Sequence, residues 1–247
     1  NEVPASDGAP SFKRPAGIAT IRRVRLGAQE YVAVLNHVGN LALFDPQSDP
    51  ESPLWSLDLG RPSRGSPDLQ VATGPEDDDI IVLRNVLQDQ SGVSAIDART
   101  GNILWTHHQP IDDVETMRVV ALSKTPEGWA DTVVRYDRIK PTSGPFPDER
   151  CPDTVVIGDL GTPAEACPNR AIAPPMITGL DPVTGACRWR TIMRPTNPCT
   201  GPGNQTLSIT TGPAPDHSRI FVTESNGLRM FSTRNGQEWG RWEHLHT

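Results

Sequence analysis

Several groups of side chains in this 247-residue chain have types and spacing that could do chemistry. The run Glu76-Asp77-Asp78-Asp79 offers a dense set of hard oxygen ligands of the kind Ca²⁺ takes. It lacks the alternating Asp/Asn and Gly of a calcium loop, so a solvated turn accounts for it better. No cofactor is expected, with Ca²⁺ the weakly supported exception. His107 and His108 are adjacent, and on a strand adjacent rings point to opposite faces, which makes a poor metal pair. His244 and His246 share a face in a tail, where fraying is the common fate, and His217 has no placed neighbour. Cys151, Cys167, Cys187 and Cys199 fall in one 49-residue stretch without any Cys-x-x-Cys, which excludes zinc-ribbon and haem-attachment spacing. An even number among Pro, Gly and Asn points to two disulfides and an oxidising, extracytoplasmic compartment. Three pairings are open, and short loops favour Cys151–Cys167 with Cys187–Cys199. Asn204-Gln205-Thr206 is a glycosylation acceptor. Trp129, in the turn Pro126-Glu-Gly-Trp, is an aromatic that could stack on a sugar or anchor a partner. Arg22, Arg23 and Arg25, with Lys13 and Arg14, form a basic patch that reads as a solvated edge strand, with Arg23 and Arg25 on one face. There is no Gly-x-Ser-x-Gly and no Walker-type phosphate loop.

The elements that must position these groups are strands. Proline makes up 25 of the residues, and each interior proline costs a helix about 3 kcal/mol, so a helical fold is excluded. A net charge of −7 and 36% hydrophobic residues exclude a disordered polyelectrolyte, and the pI near 5.4 argues against nucleic-acid partners. No stretch is long and apolar enough for a membrane-spanning helix. Asn1 to Pro10 carry neither an initiator Met nor an apolar signal core and read as the start of a processed or trimmed chain.

The strands recur. Residues 93–105 and 177–189 both read apolar-x-x-apolar-Asp-x-x-Thr-Gly-x-x-x-Trp, matching at Asp97/Asp181, Thr100/Thr184, Gly101/Gly185 and Trp105/Trp189. Looser copies run from Asp45 to Trp55 and from Ser232 through Gly236 to Trp239, the last slightly shortened. A second apolar pattern precedes each copy, as in Val71-Ala-Thr-Gly-Pro and Ile209-Thr-Thr-Gly-Pro. Each unit therefore predicts a four-stranded antiparallel meander. In the recurring turn the Asp bonds backbone amides, the Gly supplies a positive φ, and the Trp packs the returning strand. The anchors Asp45, Asp97, Asp181 and Ser232 lie 52, 84 and 51 residues apart. The long interval predicts a Pro-rich insertion at about 138–175, pinned by a disulfide, in the third unit; a degraded extra unit is the alternative.

The Asp-x-x-Thr-Gly-x-x-x-Trp turn resembles the pyrroloquinoline-quinone-type repeat of quinoprotein-like β-propellers, over roughly residues 17–245. The resemblance implies an all-β propeller of about four four-stranded blades: an N-terminal extension at 1–16, then one propeller domain over 17–247. Members of that family commonly close with seven or eight blades, so four implies a small ring, a fragment, or an open half completed by another chain. It also implies an alternative activity, a quinone-dependent dehydrogenase. Such enzymes use a Ca²⁺ site, a catalytic Asp and often adjacent cysteines, and no adjacent pair exists here. The repeat Asp residues are accounted for by the turn. No catalytic residue is therefore expected. The leading expectation is a non-enzymatic interaction or assembly module whose protein partner meets a blade face or the 138–175 loop, with a glycan-binding propeller as the alternative.

Overall fold

In the computed structural model the described residues are 17–48, 52–60, 68–74, 77–87, 90–110, 114–122, 132–139, 151, 153–157, 176–193, 206–211, 219–224 and 227–243. They form four sheets in chain order. Blade one is β1 (Ile18–Leu26), β2 (Gln29–Asn36), β3 (Asn40–Phe44) and β4 (Trp55–Asp58); blade two is β5 (Asp68–Thr73), β6 (Asp79–Leu87), β7 (Gln90–Asp97) and β8 (Ile103–Pro110). Blade three comprises β9 (Val114–Leu122), β10 (Thr132–Ile139), β11 (Asp153–Ile157), β12 (Met176–Leu180) and β13 (Cys187–Met193). Blade four is β14 (Thr206–Thr211), β15 (Arg219–Glu224), β16 (Gly227–Ser232) and β17 (Glu238–Glu243). Every blade contains an antiparallel four-stranded meander.

Side-chain alternation along these strands gives each inner blade two apolar faces, and the core lies between blades. Val24, Ala33, Leu35, Leu41 and Leu43 of blade one meet Leu69, Ile81, Leu83 and Ile96 of blade two. Val82, Val93 and Ala95 of blade two meet Val133 and Leu180 of blade three. Val134, Tyr136 and Ile177 of blade three meet Ile220, Val222 and Phe231 of blade four. The innermost strands of consecutive blades touch, β1 on β5, β5 on β9 and β9 on β14, whereas no contact of comparable extent joins β14 back to β1. Among the described residues the four blades thus form an open arc.

Blade three carries the disulfide-pinned insertion and corrects one expectation. The described part of the 138–175 segment contains β11, which adds a fifth strand on the outer side of β13 and runs parallel to it. That register aligns Asp153 with Trp189. Two residues upstream of each, Cys151 and Cys187 come side by side, with Cα atoms 4.9 Å apart, and form a disulfide. The short-loop pairs Cys151–Cys167 and Cys187–Cys199 are therefore overturned. Parallel pairing, rather than loop length, selects the partner; Cys167 and Cys199 lie outside the described residues.

The bridge closes a 36-residue separation, for which the chain-entropy relation gives about 4 kcal/mol. Cys151→Ser with Cys187→Ser is expected to lower the unfolding free energy by about 2–4 kcal/mol in urea titrations, and dithiothreitol should do the same to the native chain.

Candidate functional site

The recurring turn builds itself from its own side chains. Asp97 Oδ1 accepts from the amides of Arg99 and Thr100 at 2.8 and 3.3 Å, and Asp181 Oδ1 accepts from Val183 and Thr184 at 2.9 and 2.9 Å. Asp45 does the same with Gln47 at 2.8 Å, and Ser232 Oγ takes the weaker version from Arg234 at 3.2 Å. The Thr100 and Thr184 hydroxyls each accept from the amide two residues on, and in blade four the Asn235 carboxamide oxygen takes over that role. Gly101, Gly185 and Gly236 then donate back to the anchor carbonyl in the left-handed region, at φ 76°, 72° and 68°.

Those glycines are held for a second reason. The indole N–H of Trp55 donates to Ala98 O at 2.9 Å, that of Trp105 to Pro182 O at 2.8 Å, and that of Trp189 to Thr233 O at 3.0 Å. Each Trp thus reaches across to the turn of the following blade and lies over its glycine. A Cβ on Gly101 or Gly185 would stand 2.8 or 2.7 Å from the facing indole, and one on Gly236 would be closer still. Thr191 Oγ1 adds a 2.7 Å bond to Gly236 O.

Register shows where this relay stops. Trp55, Trp105 and Trp189 pair with Leu43, Ala95 and Gly179, each two residues before its anchor. In blade four the residue paired at that place, with Met230, is Gly240. Trp239 is one residue out of step, because the turn-to-strand spacing is one shorter. It is 48% exposed, with the Arg219 guanidinium 5.5 Å over its ring. Blade one, at the other end, has no glycine in its turn beyond Asp45, where the sequence runs Pro46-Gln47-Ser48.

These sheets, stacked face to face around innermost strands, match solved structures. No family model matches the chain, and no curated protein matches it. The WD40 domain of SCAP from fission yeast superposes with a TM-score of 0.52 at 10% identity, over 93% of this chain and 43% of that one. The WD40 domain of Toxoplasma gondii coronin gives 0.48 at 6% identity, over 90% and 45%. The chain folds as a β-propeller. It spans less than half the length of either propeller chain.

Within this propeller two residues of the acidic run, Asp78 and Asp79, join blades. Asp77 adopts φ 61° and turns the chain. Asp78 Oδ1 then accepts from Gly27 N at 2.7 Å and Asp79 Oδ2 from Arg25 N at 2.6 Å, both in blade one, while Arg99 grips Asp78 Oδ2 at 2.6 and 2.9 Å. The pair latches blade two to blade one. Burial pushes the Asp79 carboxyl above its ordinary value despite the Arg25 amide and the nearby arginines. Sequence reasoning missed this latch because both acceptors bond backbone amides more than fifty residues away.

His107 and His108 are packed into the propeller. His107 stands edge-on to Trp105 at 5.1 Å and its Nδ1 lies 3.3 Å from Nη1 of Arg135, a fully buried arginine in blade three. His108 packs over Gly92, and burial holds its imidazole below the ordinary value. Arg22 faces Asp68 at 3.9 Å and Arg23 faces Glu30 at 3.2 Å. Among the described residues no group of three His, Cys, Asp or Glu is placed to hold a metal ion, and no helix is long and apolar enough to cross a membrane. Trp129, Asn204, Cys167, Cys199, His217, His244 and His246 lie outside the described residues.

Two predictions follow from the junctions. Gly185→Ala meets both an unfavourable φ and the Trp105 ring, whereas Gly27→Ala meets only φ 59° with open space around it. Thermal unfolding should show a loss of about 1 kcal/mol for Gly27→Ala and at least about 3 kcal/mol for Gly185→Ala. At Asp181, burial alone would raise the carboxyl, but the Thr184 amide, Arg188 at 2.7 Å and the Val183 amide outweigh it and hold it below 3.8. A lowered carboxylate stabilises above its unfolded value and loses that contribution as it protonates. The stability gap between the native chain and Asp181→Asn should therefore be constant at neutral pH and shrink as the pH falls below 3.8.

Proposed function

We propose that this protein is a non-enzymatic assembly scaffold working in an oxidising, extracytoplasmic compartment, its blades built from the pyrroloquinoline-quinone-type repeat. The rim of blade three is its partner surface. One observation carries the reading: β11 is laid on the outside of β13 and tied there by Cys151–Cys187, although the four-stranded meander needs neither. A long segment fastened to a rigid propeller rim is the kind of element on which recognition is usually displayed. Its disulfide also supports the oxidising compartment. The repeat reading rests on the turn residues Asp97, Thr100, Gly101 and Trp105 and their counterparts Asp181, Thr184, Gly185 and Trp189, whose side chains are spent on the turn and the blade junction.

A photocrosslinking residue at exposed Thr154, on β11, should capture a protein partner in the native extract, while the same residue at exposed Gln47, on the blade-one turn, should not. Equal capture at both sites, or none at Thr154, would remove the rim as the site. Adding pyrroloquinoline quinone with Ca²⁺ should leave the quinone spectrum unchanged and produce no dye reduction; turnover would establish the dehydrogenase alternative instead.

A further inference from the structure

The outermost strand of an antiparallel sheet carries a row of main-chain N–H and C=O groups able to pair with another strand, and folded proteins guard such edges. The four meanders end on β4, β8, β13 and β17. Three of these strands are guarded, each in a different way. β4 is only four residues long and finishes on Asp58. β17 carries Glu238, Arg241 and Glu243 among its six residues. The edge of β13 is covered by β11, which Cys151–Cys187 ties in place.

β8 has none of these three devices. It runs for eight residues, Ile-Leu-Trp-Thr-His-His-Gln-Pro, without a single Asp, Glu, Lys or Arg. It pairs with β7 on one side and closes the order of its sheet on the other. Ile103 and Leu104 are 51% and 39% exposed, and Thr106 is exposed beside them. Trp105, between them, is turned inward and bonded to the Pro182 carbonyl, so the strand is fixed in place while its neighbours face water. One blade away, β11 on β13 shows that this rim has room for an added strand.

The composition of the edge selects its occupant. A charged strand would find no counter-charge on β8 and would be desolvated against Ile103 and Leu104. An uncharged strand can pair through main-chain bonds and apolar contact, and β8 is itself such a strand. Under a two-fold axis perpendicular to the sheet, two β8 edges run antiparallel and the donors of one meet the acceptors of the other. Like charges are not brought together, whereas the same pairing of β17 at full overlap would set Glu238 against Glu243.

We propose that β8 is a homodimer contact, in which the β8 edges of two copies of this chain pair antiparallel and join the two blade-two sheets into one continuous sheet. At full overlap Ile103 and Leu104 of one copy lie against Pro110 and Gln109 of the other. Pro110, which has no N–H to give, then falls at the margin of the ladder. The contact leaves β11 uncovered, so it does not rest on the partner surface proposed for blade three.

Native mass spectrometry and amide hydrogen exchange of the full chain test the pairing. At about 100 μM, where complexes of micromolar Kd are saturated, most of the chain should have twice the mass of 26.9 kDa. Exchange in the peptide Ile103–Pro110 should slow severalfold between about 1 and 100 μM, while β4 and β17 stay unchanged. Leu104→Lys supplies the missing guard at an exposed position and should weaken the dimer at least about tenfold. Its thermal midpoint at about 1 μM should match that of the native chain, because the side chain faces water in the monomer. Leu54→Lys, more exposed and on blade one, should leave the dimer intact. A monomer at the higher concentration, a dimer that survives Leu104→Lys, or protection centred on another strand would overturn the proposal. So would a chain that is monomeric alone yet captures a protein of different mass through a photocrosslinker at position 104, which would assign the edge to a foreign strand.

Discussion

The position of every blade depends on an indole that lies across a glycine of the next blade and donates one hydrogen bond to that blade's turn. Burying an indole is worth at most about 4–6 kcal/mol by area, whereas its N–H bond contributes about 1 kcal/mol. The smaller term nonetheless sets the geometry. Apolar burial is non-directional and would tolerate sliding of one sheet over another, but the bonds from Trp55, Trp105 and Trp189 fix the ring against a single carbonyl. The glycine is needed from both sides, for its positive φ in the turn and for the flat surface it offers the ring. Trp189 shows the fit at its tightest, since its ring also leaves no room for a side chain on Gly179 in its own blade.

A chain of similar units risks pairing the wrong blades while it folds, and identical junctions would not prevent it. Polar contacts particular to each junction do. Asp78 and Asp79 latch blade two to the β1–β2 hairpin; Arg135 meets His107 between blades two and three; the Thr191 hydroxyl meets Gly236 O between blades three and four. All but the exposed Asp78–Gly27 bond are buried or half-buried, so a mispaired junction would leave these groups without their native partners and incur their desolvation. The common indole lock supplies affinity, and the individual polar contacts supply order.

The fold was largely legible in the sequence because the turn that defines it is local. Asp, Thr, Gly and Trp act within thirteen residues, and their side chains serve the same backbone that spaces them. Legibility failed wherever the partner was remote. The Asp78–Asp79 latch bonds main-chain amides, which carry no side-chain signature. The Cys151–Cys187 pair is selected by a parallel register between β11 and β13, and no short-loop rule anticipates that. Trp239 illustrates a subtler failure. The copy is visibly shortened, but only the register of the returning strand shows that the missing residue shifts Trp239 out of step and leaves Gly240 at the working position.

That one-residue shift removes the lock without changing what else lies on the face. Blade four keeps Phe221, Leu228, Met230 and Trp242 on the face away from blade three. Blade one has no glycine seat in its own turn, and its face away from blade two sets Ile21 and Val34 beside Arg23, Arg25 and Glu30. Lock and face composition are therefore separate properties of a blade: the directional indole bond fixes how two sheets are registered, whereas the side chains around it set how strongly the faces attract. A register change of one residue can abolish the first and leave the second nearly intact.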